Sequence, residues 1–280
     1  IFSTYRWPYG KSIIINNMLH LLYIEWLKLK NYRTFWILAA LYLISISGIN
    51  YITLEFIQKA YENPAAKLIA GVHPFSFPDV WQTVTYMSSF TLFLPGLLII
   101  INYTNEFNYK THRQNIIDGY SRQAFITVKI VLVLLLAIIS TLVVSINAAA
   151  FGITHNETPF SFEKAHYIGL FFVQCLNYFG LALLLSVLFK RAALAVGVYF
   201  IYITILENMI AGIINRYKAP AGNFFPIDSA DSLITFPMFK EAQKTLPIIR
   251  PELWQVAIAC GIYIIIYYAI SYWRFSKQDL

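Results

Sequence analysis

Residues able to do chemistry are few in this chain, and their spacing excludes most of what they could do. Gly10-Lys11-Ser12 resembles the end of a phosphate-binding loop, in which glycine-rich backbone cradles phosphate oxygens. Position 5, where such a loop needs its first glycine, is Tyr5, and no strand-like run comes before it. The chain therefore carries no nucleotide site of its own. The five histidines, His20, His73, His112, His155 and His166, form no His-Glu-x-x-His pattern, the spacing that sets two imidazoles on one helix face for zinc. Cys175 and Cys260 lie in apolar runs and read as core thiols, not as a disulfide framework or metal site. Asn156-Glu157-Thr158 fits a glycosylation sequon, a match too short to carry weight. No catalytic residue and no metal site is expected.

Two polar features survive this sieve. One is Glu207, the only acid well inside an apolar run (YITILENMIAGI), with Asn208 beside it. A charge at the centre of a bilayer costs several kcal/mol unless it is paired, hydrated or neutralised. Glu207 and Asn208 thus read either as hydrogen-bonded packing residues or as the lining of a substrate or proton path at a subunit seam. The other is the charged stretch 104–129, TNEFNYKTHRQNIIDGYSRQAFITVK, held between the apolar runs 84–103 and 130–150. It is too short for a domain, yet it is patterned as a helix that stops and restarts. Thr104 or Asn105 would cap a helix over 105–118, with Glu106 in its first turn, where the helix dipole favours an anion. Glu106 and Lys110 stand at i,i+4. Asp118-Gly119 would end this helix, and Ser121 would cap the next. Phe107, Ile116 and Ile117 offer apolar contacts, while Tyr109, His112 and Arg113 are available to a partner.

The elements that must position these residues are membrane spans. Of 280 residues, 58% are hydrophobic and 12% charged, against about 25% charged in soluble domains, and mean hydropathy is +0.59. The expected fold is all-α and polytopic. Six spans of about 20 residues, the length that crosses a bilayer, fall near 35–54, 84–103, 128–150, 167–189, 192–214 and 253–273. Trp36, Trp81, Trp254 and Trp273 stand near span ends, as interfacial aromatics do. With both termini in the cytoplasm, the inner segments hold 13 of the 21 Lys and Arg residues, as the positive-inside rule requires. No basic stripe is long enough to bind nucleic acid. Residues 1–17 read as a flexible or non-native extension before Met18. Residues 18–34 read as an amphipathic helix lying in the inner interface, with Leu19, Leu22, Trp26 and Leu29 on one side and Glu25, Lys28 and Lys30 on others. Residues 35–280 form a single transmembrane domain. Pro95 is expected to kink the second span. The Pro-rich loop 215–252 is expected to hold short re-entrant or interfacial helices, since its apolar pieces FFPI and SLITFPMF cannot cross.

Three places resemble the permease subunit of a type-2 ATP-binding-cassette (ABC) exporter. They are Glu25-Trp26-Leu27-Lys28 running to Arg33-Thr34-Phe35-Trp36; the series Glu106, Thr111, Arg113, Ser121-Arg122, Phe125 and Lys129; and the ending Arg274-Phe275 to Asp279-Leu280. Lys110 stands where that family carries glycine. The resemblance implies a six-span subunit in the cell's inner membrane, surrounded by lipid. It would pair with a second permease copy, identical or related, and with separate ATPase subunits that hold the ATP and Mg; this chain would bind no cofactor. It implies that 105–118 is a coupling helix, with Glu106, Phe107, Tyr109, Lys110, His112, Arg113 and Arg122 meeting the ATPase. An ion-gradient-driven carrier using Glu207 and a non-transporting anchor or sensor are the alternatives.

Overall fold

The computed structural model describes residues 12–61, 73–109, 111, 121–155, 158–218, 220–237 and 251–277. Ten α-helices lie among them: α1 (Ser12–Lys30), α2 (Arg33–Tyr61), α3 (Val80–Ser89), α4 (Phe93–Asn108), α5 (Arg122–Thr154), α6 (His166–Phe189), α7 (Ala192–Ile201), α8 (Glu207–Lys218), α9 (Pro226–Asp231) and α10 (Leu253–Ser276). A π turn over Tyr202–Leu206 joins α7 to α8, and a 3-10 turn spans Ala221–Phe224. No strand occurs among the described residues. By length and composition α2, α5, α6, the α7–α8 unit and α10 are each able to cross a membrane, and the bent pair α3–α4 makes a sixth. The chain is thus a multi-pass membrane protein in fold class. The helices run past the expected spans, α5 by six residues at its start and four at its end.

Helix α6 is the hub. In its apolar stretch 61% of residues are buried inside the protein, against 17% or 22% in α2, α5, the α7–α8 unit and α10. It packs against α3, α4, α5, α7, α9 and α10, so it must be apolar all round, as a buried helix is. The outer helices bury one stripe and leave residues such as Ile44, Ile146 and Ile265 exposed.

The second crossing bends by 45° between α3 and α4. The bend falls at 90–92, not at Pro95 itself, which occupies the first turn of α4. A proline there loses nothing, because the first N–H groups of a helix have no intrahelical partner. What Pro95 does is leave the Thr91 carbonyl without its i+4 donor. Thr91 O accepts instead from Leu94 N at 3.1 Å, a tighter i,i+3 turn that redirects the chain.

Helix α1 starts at Ser12, so the expected boundary at Met18 is not a break in the backbone. Leu21 and Glu25 face the protein while Leu19 and Trp26 are exposed. Two ends of the bundle are distinct. At the end bearing the 104–121 connection, called here the loop end, Phe275 of α10 stacks on Phe125 of α5 with centroids 4.9 Å apart, and Tyr103 of α4 meets it edge-on at 6.3 Å. At the opposite end the Trp81 indole donates to Ser161 O at 2.8 Å and stacks on Phe162. The loop 215–252 does hold short helices, the 3-10 turn and α9; its residues 238–250 lie outside the described residues.

Gly96 sets how closely α4 and α7 approach, since a Cβ there would collide with the ring and hydroxyl of the fully buried Tyr199. Gly96→Ala is expected to lower stability by about 1–3 kcal/mol, the usual effect of overpacking. Gly48→Ala, where nothing lies within 4 Å, should leave it unchanged or slightly raised. Thermal unfolding of the two purified variants in detergent checks both outcomes.

Candidate functional site

Three helices bring charged side chains to one buried point at the loop end. Helix α1 supplies Glu25 and Lys28, one turn apart; the last turn of α4 supplies Glu106; the third turn of α5 supplies Lys129. Lys28 Nζ lies 3.0 Å from Glu25 Oε1 and 2.8 Å from Glu106 Oε1. Lys129 Nζ lies 2.5 Å from Glu25 Oε2 and 3.1 Å from Glu106 Oε1. Signs alternate around a closed ring of four, and the net charge is zero. Thr111 Oγ1 donates to the second oxygen of Glu106, tying the start of the connecting segment to the same carboxylate.

The ring is nearly dry. Glu25, Glu106 and Lys129 are 3–4% exposed, and only Lys28 reaches solvent. Burial pulls the Lys28 ammonium down, but Glu25 and Glu106 together outweigh it and hold it above its ordinary value. Its stabilising contribution is therefore complete at neutral pH and is lost only as pH rises beyond the ordinary lysine range. On the apolar side a cavity of about 150 Å³ is lined by Trp26, Leu29, Phe35, Leu98, Leu136 and Lys129, among others. On the polar side a groove of about 180 Å³ is lined by Lys28, Tyr32, Asn105, Glu106, Tyr109 and Thr111, among others.

The helix expected over 105–118 does not start where the capping pattern placed it. Helix α4 runs unbroken through Asn108, so Glu106 stands in a last turn, not a first. Thr104 does not cap either; its hydroxyl donates back to Ile100 O at 2.7 Å. The chain continues helical here because Tyr103, Thr104 and Glu106 are all buried. A helix end disfavours an anion, and the two lysines overcome this. Phe107 is partly buried beneath Lys190, whose Nζ lies 5.5 Å from the ring centroid, and Tyr109 is exposed. Arg122 is the first residue of α5, and Ser121 caps that helix as expected, accepting from Ala124 N at 3.1 Å. Lys110, His112 and Arg113 lie outside the described residues. Sequence reasoning did not join Glu25, Lys28, Thr111 and Lys129 into a site. A signal was there: Lys129 follows Phe125 and Ile126 at i+4 and i+3, on the buried stripe of α5.

The second predicted pair separates. Glu207 is 2% exposed, and its Oε1 accepts from the backbone N–H groups of Ile227 and Asp228 (2.8 Å for Asp228), at the start of α9. Asn208 does not share these bonds. Its amide donates to Ile203 O at 3.1 Å and Thr204 O at 3.3 Å, the carbonyls left over by the π turn in its own helix. Cys175 and Cys260 are buried free thiols, and no group of three His, Cys, Asp or Glu able to hold a metal occurs among the described residues.

The sequence profile of a family described as a protein of unknown function, DUF2705, matches residues 36–280. The chain belongs to the DUF2705 family. No curated protein matches it. The DUF2705 match takes in Glu106, Lys129 and Glu207, whereas Glu25 and Lys28 lie just before it on α1.

Removing one member of a buried charge set strands its partners. Lys129→Met should lower stability by about 3–5 kcal/mol, and adding Glu106→Gln to that variant should recover part of the loss. A double-mutant cycle read by unfolding checks this; additivity within about 0.5 kcal/mol would show that the two side chains are not coupled.

Proposed function

We propose that this chain is the membrane subunit of an ATP-driven exporter, driven through the segment that follows Glu106. The observation that supports the reading is the buried four-charge ring at the root of that segment. A connection serving only to return the chain across a membrane has no need of one. Replacing a buried ion set by apolar side chains is often neutral or stabilising, so stability alone does not account for it. Fixing α1, α4 and α5 as one unit does.

In this reading the subunit lies as six spans in the inner membrane with both ends in the cytoplasm. Residues beyond Asn108, with Tyr109, Lys110, His112, Arg113 and Arg122, meet a separate ATPase that holds ATP and Mg. A push on this segment acts on α4 and α5 directly and on α1 through Lys28, Glu25 and Lys129. The long helices carry the displacement towards the opposite end, where α9 and the 3-10 turn lie between α6, α8 and α10. A second copy, identical or related, completes the path, and substrate passes along the seam. Membrane lipid covers the remaining faces. Glu207 spends one oxygen on α9 N–H groups, which favours a structural role over use as a carrier's ion-coupling group.

Purification from the native membrane is the first test: an ATPase should accompany the chain, and its consistent absence would favour an anchor or carrier. With the complex in vesicles, Arg113→Ala is expected to leave membrane insertion intact and ATP hydrolysis running. Transport per ATP should fall on the order of tenfold, mid-range for coupling between two sites. Unchanged transport would remove the coupling role.

A further inference from the structure

Away from the charge ring, near the middle of α6, helix α9 is seated on carboxylates. It packs against α6, α8 and α10. Its first N–H groups donate to Glu207 Oε1. At its other end Asp231 Oδ1 accepts from Gln174 Nε2 at 2.8 Å and from the Tyr178 hydroxyl at 2.9 Å, both on α6. Asp228 lies one turn before Asp231 and next to Glu207, so three carboxyl groups share one small volume. Among the described residues no ion pair reaches any of them.

Among the described residues, the neighbours offer no positive charge. The titratable side chains facing the cluster are Tyr178 from α6, Tyr199 from α7, Tyr202 from the π turn, and Cys260, Tyr263 and Tyr267 from α10. The 3-10 turn, Ala-Gly-Asn-Phe, contributes none. All of these are neutral at physiological pH. Donors are also short. Gln174 Oε1 and Asn177 Oδ1 are buried acceptors without a partner among the described residues, and the Tyr267 hydroxyl, a donor, pairs with neither. The Tyr202 hydroxyl lies within hydrogen-bonding reach of Glu207. Gln174 and Asn177 are at most 1% exposed, and each already spends its amide N–H, on Asp231 and on Cys260 Sγ. Buried acceptors of this kind are costly unless a donor reaches them. A protonated carboxyl is the smallest change that removes one negative charge and adds one donor at once.

We propose that Glu207, Asp228 and Asp231 form a proton-binding site, which holds at least one proton at neutral pH and keeps α9 seated while it does. The proton comes from bulk water and returns to it, converting one carboxylate to a carboxylic acid and back. Helix α9 is not one of the spans, and its two acids behave accordingly. Burial first, and Glu207 and Asp231 after it, push Asp228 up to about 7. Burial, with Glu207 adding to it, pushes Asp231 up to about 6 against the bonds from Gln174 and Tyr178. Native values above the unfolded ones mean that the folded chain binds more protons than the unfolded one in this range. Stability then falls as pH rises from the ordinary aspartate range towards about 7. The inference is independent of the exporter reading, since it concerns the seating of α9 and not what moves past it.

The test uses the full chain in phosphatidylcholine nanodiscs, with infrared difference spectra between about pH 5 and about pH 8, which bracket the two shifted acids. A protonated-carboxyl band is expected to vanish on raising the pH and to lose amplitude in Asp228→Asn and in Asp231→Asn. Asparagine keeps an acceptor for Gln174 and Tyr178, so Asp231→Asn should fold. In parallel the melting temperature of the unmodified chain should fall over this interval, and that of Asp228→Asn/Asp231→Asn should stay flat. A band that is absent, or identical in all variants, overturns the proposal. So does a band abolished at constant pH by sodium but not by a bulky organic cation, which would make the ligand an alkali ion.

Discussion

The arrangement at the loop end rests on one electrostatic constraint: two buried carboxylates and two lysines, from three different helices, are mutually compensating only when all three helices are in place. Glu106 sits in a last helical turn, where the backbone dipole opposes an anion. Glu25 stands on a helix whose neighbouring residues Leu19 and Trp26 face outward. Neither carboxylate is tolerable in that position alone. Lys129 neutralises both from the buried face of α5, and Lys28 closes the ring at its solvent edge. The aromatic seal of Tyr103, Phe125 and Phe275 beside it excludes water and raises the strength of each pairing.

This constraint and the cluster under α9 are of opposite kinds. The ring is balanced in charge and closed by cations; the α9 cluster is acceptor-rich and, among the described residues, has no cation paired with it. Between them runs α6, which touches α9 near its middle through Gln174 and Tyr178 and ends at the loop end beside Lys190. The same helix therefore frames both polar regions within an apolar bundle. Three of its polar residues, Gln174, Asn177 and Ser186, are buried.

Much of the fold was legible because long apolar runs in water have few alternatives. Span existence, the Ser121 cap and the short helices of the 215–252 loop all follow from local pattern. What local pattern missed was tertiary. The series Thr104-Asn105-Glu106 looks like a cap because such residues at the end of an apolar run normally meet water; here α1 covers them, and the helix continues. Lys129 stands in a family-like series but its partner is not legible, since nothing in α5 shows that Glu25 lies 104 residues away in sequence and 2.5 Å away in space. Pro95 was correctly a cause of bending, but the bend lies at the carbonyl it starves, one turn earlier. Glu207 was legible as costly and illegible in its solution, because the N–H groups that satisfy it belong to a helix 20 residues downstream.

The π turn over Tyr202–Leu206 has a consequence for how this stretch tolerates change. The buried line of α7 and α8 is Ala195, Tyr199, Ile203, Glu207 and Ala211, one residue in every four. A regular α-helix turns about 100° per residue, so a four-residue repeat drifts about 40° at each step and about 160° from first to last. The wider π turn unwinds part of that drift and keeps the carboxylate on the same side as the tyrosine two steps before it. Deleting a single residue between Tyr199 and Glu207 would rotate the acid about a quarter of the way around the helix, out of the protein and into hydrocarbon. Length here is as constrained as residue identity, although the segment lies in a span whose outward face accepts any apolar side chain.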